Sequence, residues 1–156
     1  MRELQPDATI KASGTRVSEA PALRIANRHV SAVVCLPDTE RGYYRSTRFD
    51  WGGVVRDLRS GGHRYVSEWQ PRHDPLRHDG LTGPADEFTQ IGYERARPGQ
   101  EFLKIGVGTL RKFSDHPYDR FRLYEIADPG IWETTAERDR VEFRHRLLTD
   151  EYGYDY

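Results

Sequence analysis

The segment EFLKIGVGTLRKF, residues Glu101–Phe113, is the strongest strand candidate in this chain. Leu103, Ile105 and Val107 recur at every second position, so a continuous strand would place them on one face. Glycines alternate with them on the other face, which indicates a bulge or a close approach by another part of the backbone. The segment therefore predicts one long strand that packs against a neighbour on its glycine side.

Further strand candidates flank this segment at short spacing. Turn signals separate them, among them Gly61-Gly62 and Asp128-Pro129-Gly130. No stretch shows the apolar spacing and end caps of a helix. The pattern predicts an all-β fold, an antiparallel β-sandwich or barrel. The remaining candidate strands are Arg28–Leu36, Gly52–Leu58, His63–Trp69, Asp119–Ile126, Ile131–Thr135 and Arg138–Leu148.

The last of these candidates alternates most regularly. Val141, Phe143, His145 and Leu147 fall on one face, and charged residues fall on the other. A histidine on an apolar face is more often a satisfied core residue than a ligand. We therefore expect His145 to be buried with its hydrogen bonds made.

The ends of the chain differ from its middle. Residues 1–24 lack periodicity and predict a flexible lead-in, and residues 25–156 form the predicted β-domain. At the other end, Tyr152, Tyr154 and Tyr156 alternate like an opening strand. Because proteins usually avoid or protect unpaired strand edges, we expect a truncated or split protein, one half of a larger sandwich.

Composition excludes several classes of protein. The chain has 156 residues and a net charge of −1, with its 24 basic residues interleaved with 25 acidic ones. No basic stripe remains for nucleic acid. No apolar run approaches the length of a membrane span, and no signal peptide is evident, so we expect a cytoplasmic protein. Cys35 stands alone and is expected to act as a small buried hydrophobe.

An irregular stretch, residues 70–86, contains two His-Asp pairs: His73-Asp74 and His78-Asp79. Such a cluster could ligate a metal, but Pro75 rules out the helical spacing of the usual zinc motif. We expect local turn hydrogen bonds instead, and no metal or cofactor.

A second cluster, YYRSTRFDW at residues 43–51, mixes aromatic rings with arginine and aspartate. Sugar C–H faces stack on rings, and sugar hydroxyls bond charged side chains, so the cluster suits carbohydrate. The alternative is an aromatic edge of the core, with Arg48 and Asp50 as surface polar groups.

Four ordered blocks together resemble an uncharacterised branch of the galactose mutarotase-like, or aldose 1-epimerase-like, superfamily. The resemblance implies an antiparallel β-sandwich that binds a monosaccharide in a groove, with cofactor-independent isomerase activity in a full-length enzyme. The blocks are Gly42–Val55, His73–Phe88, Phe102–Lys112 and Tyr124–Trp132.

The same resemblance implies particular site residues. His78 is similar to the sugar-contacting histidine of the family's His-Gly-Gly segment, although Asp79 stands where glycine is usual. Glu87 follows in the same block, and Arg48 is similar to an early substrate-facing arginine. The catalytic histidine and the glutamate base of the family would lie beyond Tyr156, so this part of the fold would lack both.

Three functional hypotheses remain open from the sequence. One is a fragment of a mutarotase-like enzyme, which is inactive alone. Another is a noncatalytic carbohydrate-binding β-domain. The third is a β-protein whose edge near Tyr152–Tyr156 pairs with another chain, such as one that supplies the missing half of the sandwich.

Overall fold

The computed structural model describes residues 20–70 and 72–156, which form ten strands and no helix. No helix capable of crossing a membrane therefore occurs in this part of the chain. Paired strands run antiparallel throughout these residues, which confirms the predicted all-β, antiparallel class. The strands are β1 (Ala22–Ala26), β2 (Val30–Cys35), β3 (Val55–Ser60), β4 (His63–Val66), β5 (Glu101–Lys104), β6 (Gly108–Arg111), β7 (Glu125–Asp128), β8 (Ile131–Ala136), β9 (Val141–Leu148) and β10 (Gly153–Asp155).

The strands form three sheets, ordered β1-β2-β3-β4, β5-β6-β7 and β10-β9-β8. Strands β3 and β4 join through Gly61-Gly62, whose φ angles are 54° and 81°. A two-residue hairpin turn requires such positive φ values, which glycine adopts without a steric penalty. The predicted hairpin is confirmed, although its returning strand ends at Val66 rather than at Trp69.

The prediction of one strand over Glu101–Phe113 is wrong, because the segment is a hairpin of β5 and β6. The backbone N–H of Val107 donates to the carbonyl of Lys104 at 3.1 Å, and Gly106 between them has φ of 77°. That positive φ at the third position of the turn is typical of a type II turn. The expected close approach by another backbone is confirmed at Gly108, where an added Cβ would meet the carbonyl of Asp128. At Gly106 an added Cβ would lie 2.5 Å from Cγ of the Asp50 side chain.

Two further strands differ from the sequence predictions. Asp119–Ile126 is not a strand, since β7 begins at Glu125. Strand β1 was not predicted, and it begins at Ala22, inside the expected lead-in of residues 1–24. Residues 1–19 lie outside the described part of the chain. The irregular stretch from 70 to 86 is confirmed as free of strand and helix at its described residues.

The sheet β10-β9-β8 has one buried and one charged face. His145 and Leu147 of β9 are buried, and the arginines that alternate with them pair across strands, Arg144 with Asp155 and Arg146 with Glu133. The predicted alternation of β9 is therefore confirmed. The tyrosine-rich segment forms β10, which pairs along one side with β9 and lies at the edge of this sheet.

An aromatic cluster forms the centre of the core. The rings of Tyr93, Phe102, Tyr118 and Tyr124 contact one another at centroid distances of 4.9–6.2 Å. Cys35 joins the same core at 2% exposure, and burial raises the pKa of its thiol to about 11. Cys35 is thus a buried apolar residue, as expected, and stays a neutral thiol at physiological pH.

Gly106→Ala should destabilise the protein more than Gly99→Ala. Both glycines have positive φ, 77° and 86°, but an added Cβ meets nothing within 4 Å at Gly99 and meets Asp50 at Gly106. Both variants carry the backbone strain of a positive φ. The difference between their losses of unfolding free energy, about 1–3 kcal/mol, therefore reports the contact with Asp50. Urea unfolding of the two variants measures this difference. Equal losses of unfolding free energy would show that an added Cβ at Gly106 is not opposed by Asp50.

Candidate ligand-binding site

Three of the four predicted site residues come together around the ring of Phe121. Nε of Arg48 lies 3.1 Å from Oε2 of Glu87, and the Arg48 guanidinium lies 5.0 Å from the Phe121 centroid. The ring of His78 meets the same phenyl ring edge-on at 5.0 Å. Residues far apart in sequence thus share one surface.

Glu87 in this cluster is already occupied by protein groups. Its second oxygen, Oε1, lies 3.1 Å from Nε of Arg120, so each carboxylate oxygen has an arginine partner. The nearby ammonium of Lys104 is buried and donates to the carbonyl of Phe88. Burial lowers the pKa of Lys104, and Arg120 and Arg48 lower it further against the opposing charge of Glu87. These groups bind one another, which is typical of a structural clamp.

Asp79, the fourth predicted residue, lies elsewhere. It borders a shallow hollow with Trp69, Gln70 and Arg72, and its Oδ1 lies 3.7 Å from Nε of Arg77. In the same stretch the N–H of Leu76 donates to Oδ1 of Asp74 at 3.0 Å, which confirms the expected local turn bond.

A different cleft combines acids with aromatic rings, and we call it the acidic–aromatic pocket. Its volume is about 250 Å³, slightly below the usual range of about 300–1,000 Å³ for ligand pockets, so it suits one small ligand. The loop between β2 and β3, the irregular stretch, β8, β9 and the chain after β10 each contribute to it. Its lining residues are Asp50, Gly52, Gly53, Asp86, Trp132, Phe143 and Tyr156.

Asp50 is the buried acid of this pocket, at 4% exposure. Its backbone N–H donates to the carbonyl of Asp86 at 2.9 Å, and its Oδ1 accepts the N–H of Gly52 at 2.7 Å. Burial raises the pKa of the Asp50 carboxyl to about 6, and the Asp86 charge adds to that rise. Hydrogen bonds from Gly52 and from the Tyr156 hydroxyl oppose it. Asp50 can therefore hold or release a proton near neutral pH.

The aromatic wall of the pocket is held rigidly from behind. Trp132 stacks on His145 with a centroid distance of 4.0 Å and an interplanar angle of 9°. Nε2 of His145 donates to the carbonyl of Pro129 at 2.8 Å, and Nδ1 accepts the Tyr154 hydroxyl at 2.8 Å. Burial lowers the pKa of His145, so the ring is neutral and matches both partners. The expectation of a satisfied core histidine is confirmed.

Sequence reasoning missed most of this pocket. Asp50 was weighed only inside the cluster at residues 43–51, and Trp132 only inside a resemblance block. No sequence pattern marks Asp86, Phe143 or Tyr156 as a ligand-binding residue. Pairing between β8, β9 and β10 brings Phe143 and Tyr156 to the loop of Asp50.

No protein-family model, curated protein or solved structure matches this chain. The geometry of the described residues therefore supplies the argument for function.

Asp50→Asn should change how stability depends on pH. The folded pKa of about 6 exceeds the ordinary 3.8, so the contribution of Asp50 to stability is fully present below about pH 4 and is lost as pH rises through 6. Asparagine can still accept the Gly52 N–H and carries no charge. Between pH 4 and pH 7, we expect the unfolding free energy of the variant to rise relative to that of the wild type by on the order of 2–3 kcal/mol.

Urea unfolding across that pH range measures this gain. Asp150→Asn makes the same chemical change at an exposed position and should leave the profile as in the wild type. Parallel profiles for wild type and Asp50→Asn would contradict the burial of a titrating carboxyl.

Proposed function

We propose that this chain is a carbohydrate-binding domain of galactose mutarotase-like architecture, whose monosaccharide binds in the acidic–aromatic pocket. One observation carries the proposal: the cleft places two carboxylates beside three aromatic side chains, those of Trp132, Phe143 and Tyr156. The antiparallel sheets of the described residues support the all-β part of the architecture that the sequence resemblance implies.

The chemistry of the pocket fits a sugar in both of its parts. The C–H faces of a pyranose are apolar and pack on aromatic rings, whereas its hydroxyls need acceptors at the edges of the ring. Asp50 and Asp86 supply acceptor oxygens for these hydroxyls, and Trp132, Phe143 and Tyr156 supply the ring surface.

Binding is the part of the resemblance that we propose for these residues. Arg48 and Glu87, which the resemblance implies as site residues, pair with each other. We therefore propose that the cluster around Phe121 holds the irregular stretch in place next to the pocket.

Trp132→Ala should weaken monosaccharide binding about 10-fold, because it removes the stacking surface for the sugar. Calorimetric titration with galactose and glucose measures the effect. Tyr156→Leu is a second variant, since Tyr156 is 49% exposed and its loss should spare the core. Tyr156→Leu should also lower the affinity for the monosaccharide.

Two control variants distinguish the alternative sites. Trp69→Ala removes an exposed ring beside Asp79, and His78→Ala removes the histidine beside Phe121. Both should leave affinity within about 2-fold of wild type. Loss of binding in His78→Ala with no change in Trp132→Ala would move the site to the cluster around Phe121 and refute the proposal.

A further inference from the structure

Within the described residues, Asp50, the buried acid of the acidic–aromatic pocket, and the exposed Asp86 beside it both lack an arginine partner, whereas the half-buried Glu87 and Asp57 each have two. Glu87 contacts Arg48 and Arg120, and Asp57 contacts Arg59 and Arg64. Among the ion pairs of residues 20–70 and 72–156, none includes Asp50 or Asp86. The pocket lining also contains no lysine or arginine.

A buried carboxylate without a counter-charge is costly in a protein. Around Asp50 the compensating groups are neutral donors, the Gly52 N–H and the Tyr156 hydroxyl, and a second acid lies close by. In a chain with 24 basic residues, a pocket that excludes them leaves room for a cation from outside.

The aromatic side chains that line the pocket favour the same kind of ligand. Ring faces attract cations through their quadrupole, and the attraction grows when the site is shielded from water. Trp132 is the strongest ring type for this interaction and is held against His145. The carboxylates and ring faces of this small cleft thus favour a ligand with a positive charge. The same rings offer a stacking surface, and the same carboxylates offer acceptors for hydroxyls, so the cleft also favours a sugar ring.

Resting on the proposed function, we propose that the ligand of this pocket is a cationic amino sugar, a hexose with a free ammonium group. The ammonium would contact Asp50 and Asp86 through charge-assisted hydrogen bonds. The pyranose face would pack on the aromatic wall formed by Trp132, Phe143 and Tyr156.

Calorimetric titration of the full chain with three sugars tests this inference. Glucosamine carries the ammonium, glucose lacks it, and N-acetylglucosamine keeps the nitrogen without the charge. We expect glucosamine to bind at least about 10-fold more tightly than either neutral sugar, because only it makes the charge-assisted contacts. Raising the salt concentration should reduce this difference in affinity.

Asp86→Asn provides the matched variant, because Asp86 is exposed and its side chain keeps its shape in asparagine. It should reduce glucosamine affinity about 10-fold and glucose affinity by less than about 3-fold. Asp139→Asn, an exposed acid outside the pocket, should change neither.

Each other outcome overturns a defined part of the account. Equal affinity for glucosamine and glucose would refute the cationic ligand and leave the carbohydrate-binding domain intact. Binding of tetramethylammonium with no binding of any sugar would refute both, as would a lack of all binding.

Discussion

The contact between the β5–β6 turn and the Asp50-Trp51 segment is the constraint on which the site depends. The carbonyl of Gly106 accepts the N–H of Trp51 at 3.1 Å, and the missing side chain of Gly106 leaves room for the Asp50 carboxyl. The N–H of Gly106 also bonds the Tyr154 hydroxyl, which in turn donates to His145. One turn therefore connects the loop that carries the buried acid, the central hairpin and the sheet that carries the aromatic wall. This arrangement places the Asp50 carboxyl and Trp132 at the same pocket.

Arginines pair with acids in some regions of the molecule and are absent from the lining of the acidic–aromatic pocket. On the outer face of the β10-β9-β8 sheet, arginines and acids alternate and pair across strands, as in Arg144 with Asp155. Around Phe121 the same chemistry forms the clamp of Arg48, Glu87 and Arg120. Exposed pairs of this kind contribute little to stability, but they neutralise the acids that they contact. The acidic–aromatic pocket lacks such pairs, which is why its charge is available to a ligand.

The sequence predicts the parts of this structure that local patterns determine. The alternation of β9 and the Gly61-Gly62 turn depend on neighbours in the chain, and both are confirmed. The segment at 101–113 was misread because alternating residues fit a strand equally well on either side of a tight turn. The turn requires the positive φ of Gly106, and the contact with the distant Asp50 requires its missing side chain as well. The pocket joins positions from 50 to 156, and no local pattern predicts strand pairing over that distance. Of the site residues that the resemblance implies, Arg48, His78 and Glu87 meet around Phe121, whereas Asp79 lies at a separate hollow.

The central claim is that a sugar binds between Asp50 and the aromatic wall. The most direct measurement is a titration of isotopically labelled protein with glucosamine, followed by amide and indole chemical shifts. We predict that the largest shifts occur at the amides of Gly52 and Gly53 and at the indole N–H of Trp132, because these three residues line the pocket. The indole N–H of Trp69 beside the other hollow should stay unchanged. Shifts concentrated at His78 and Phe121, with none at Gly52 or Trp132, would contradict the account.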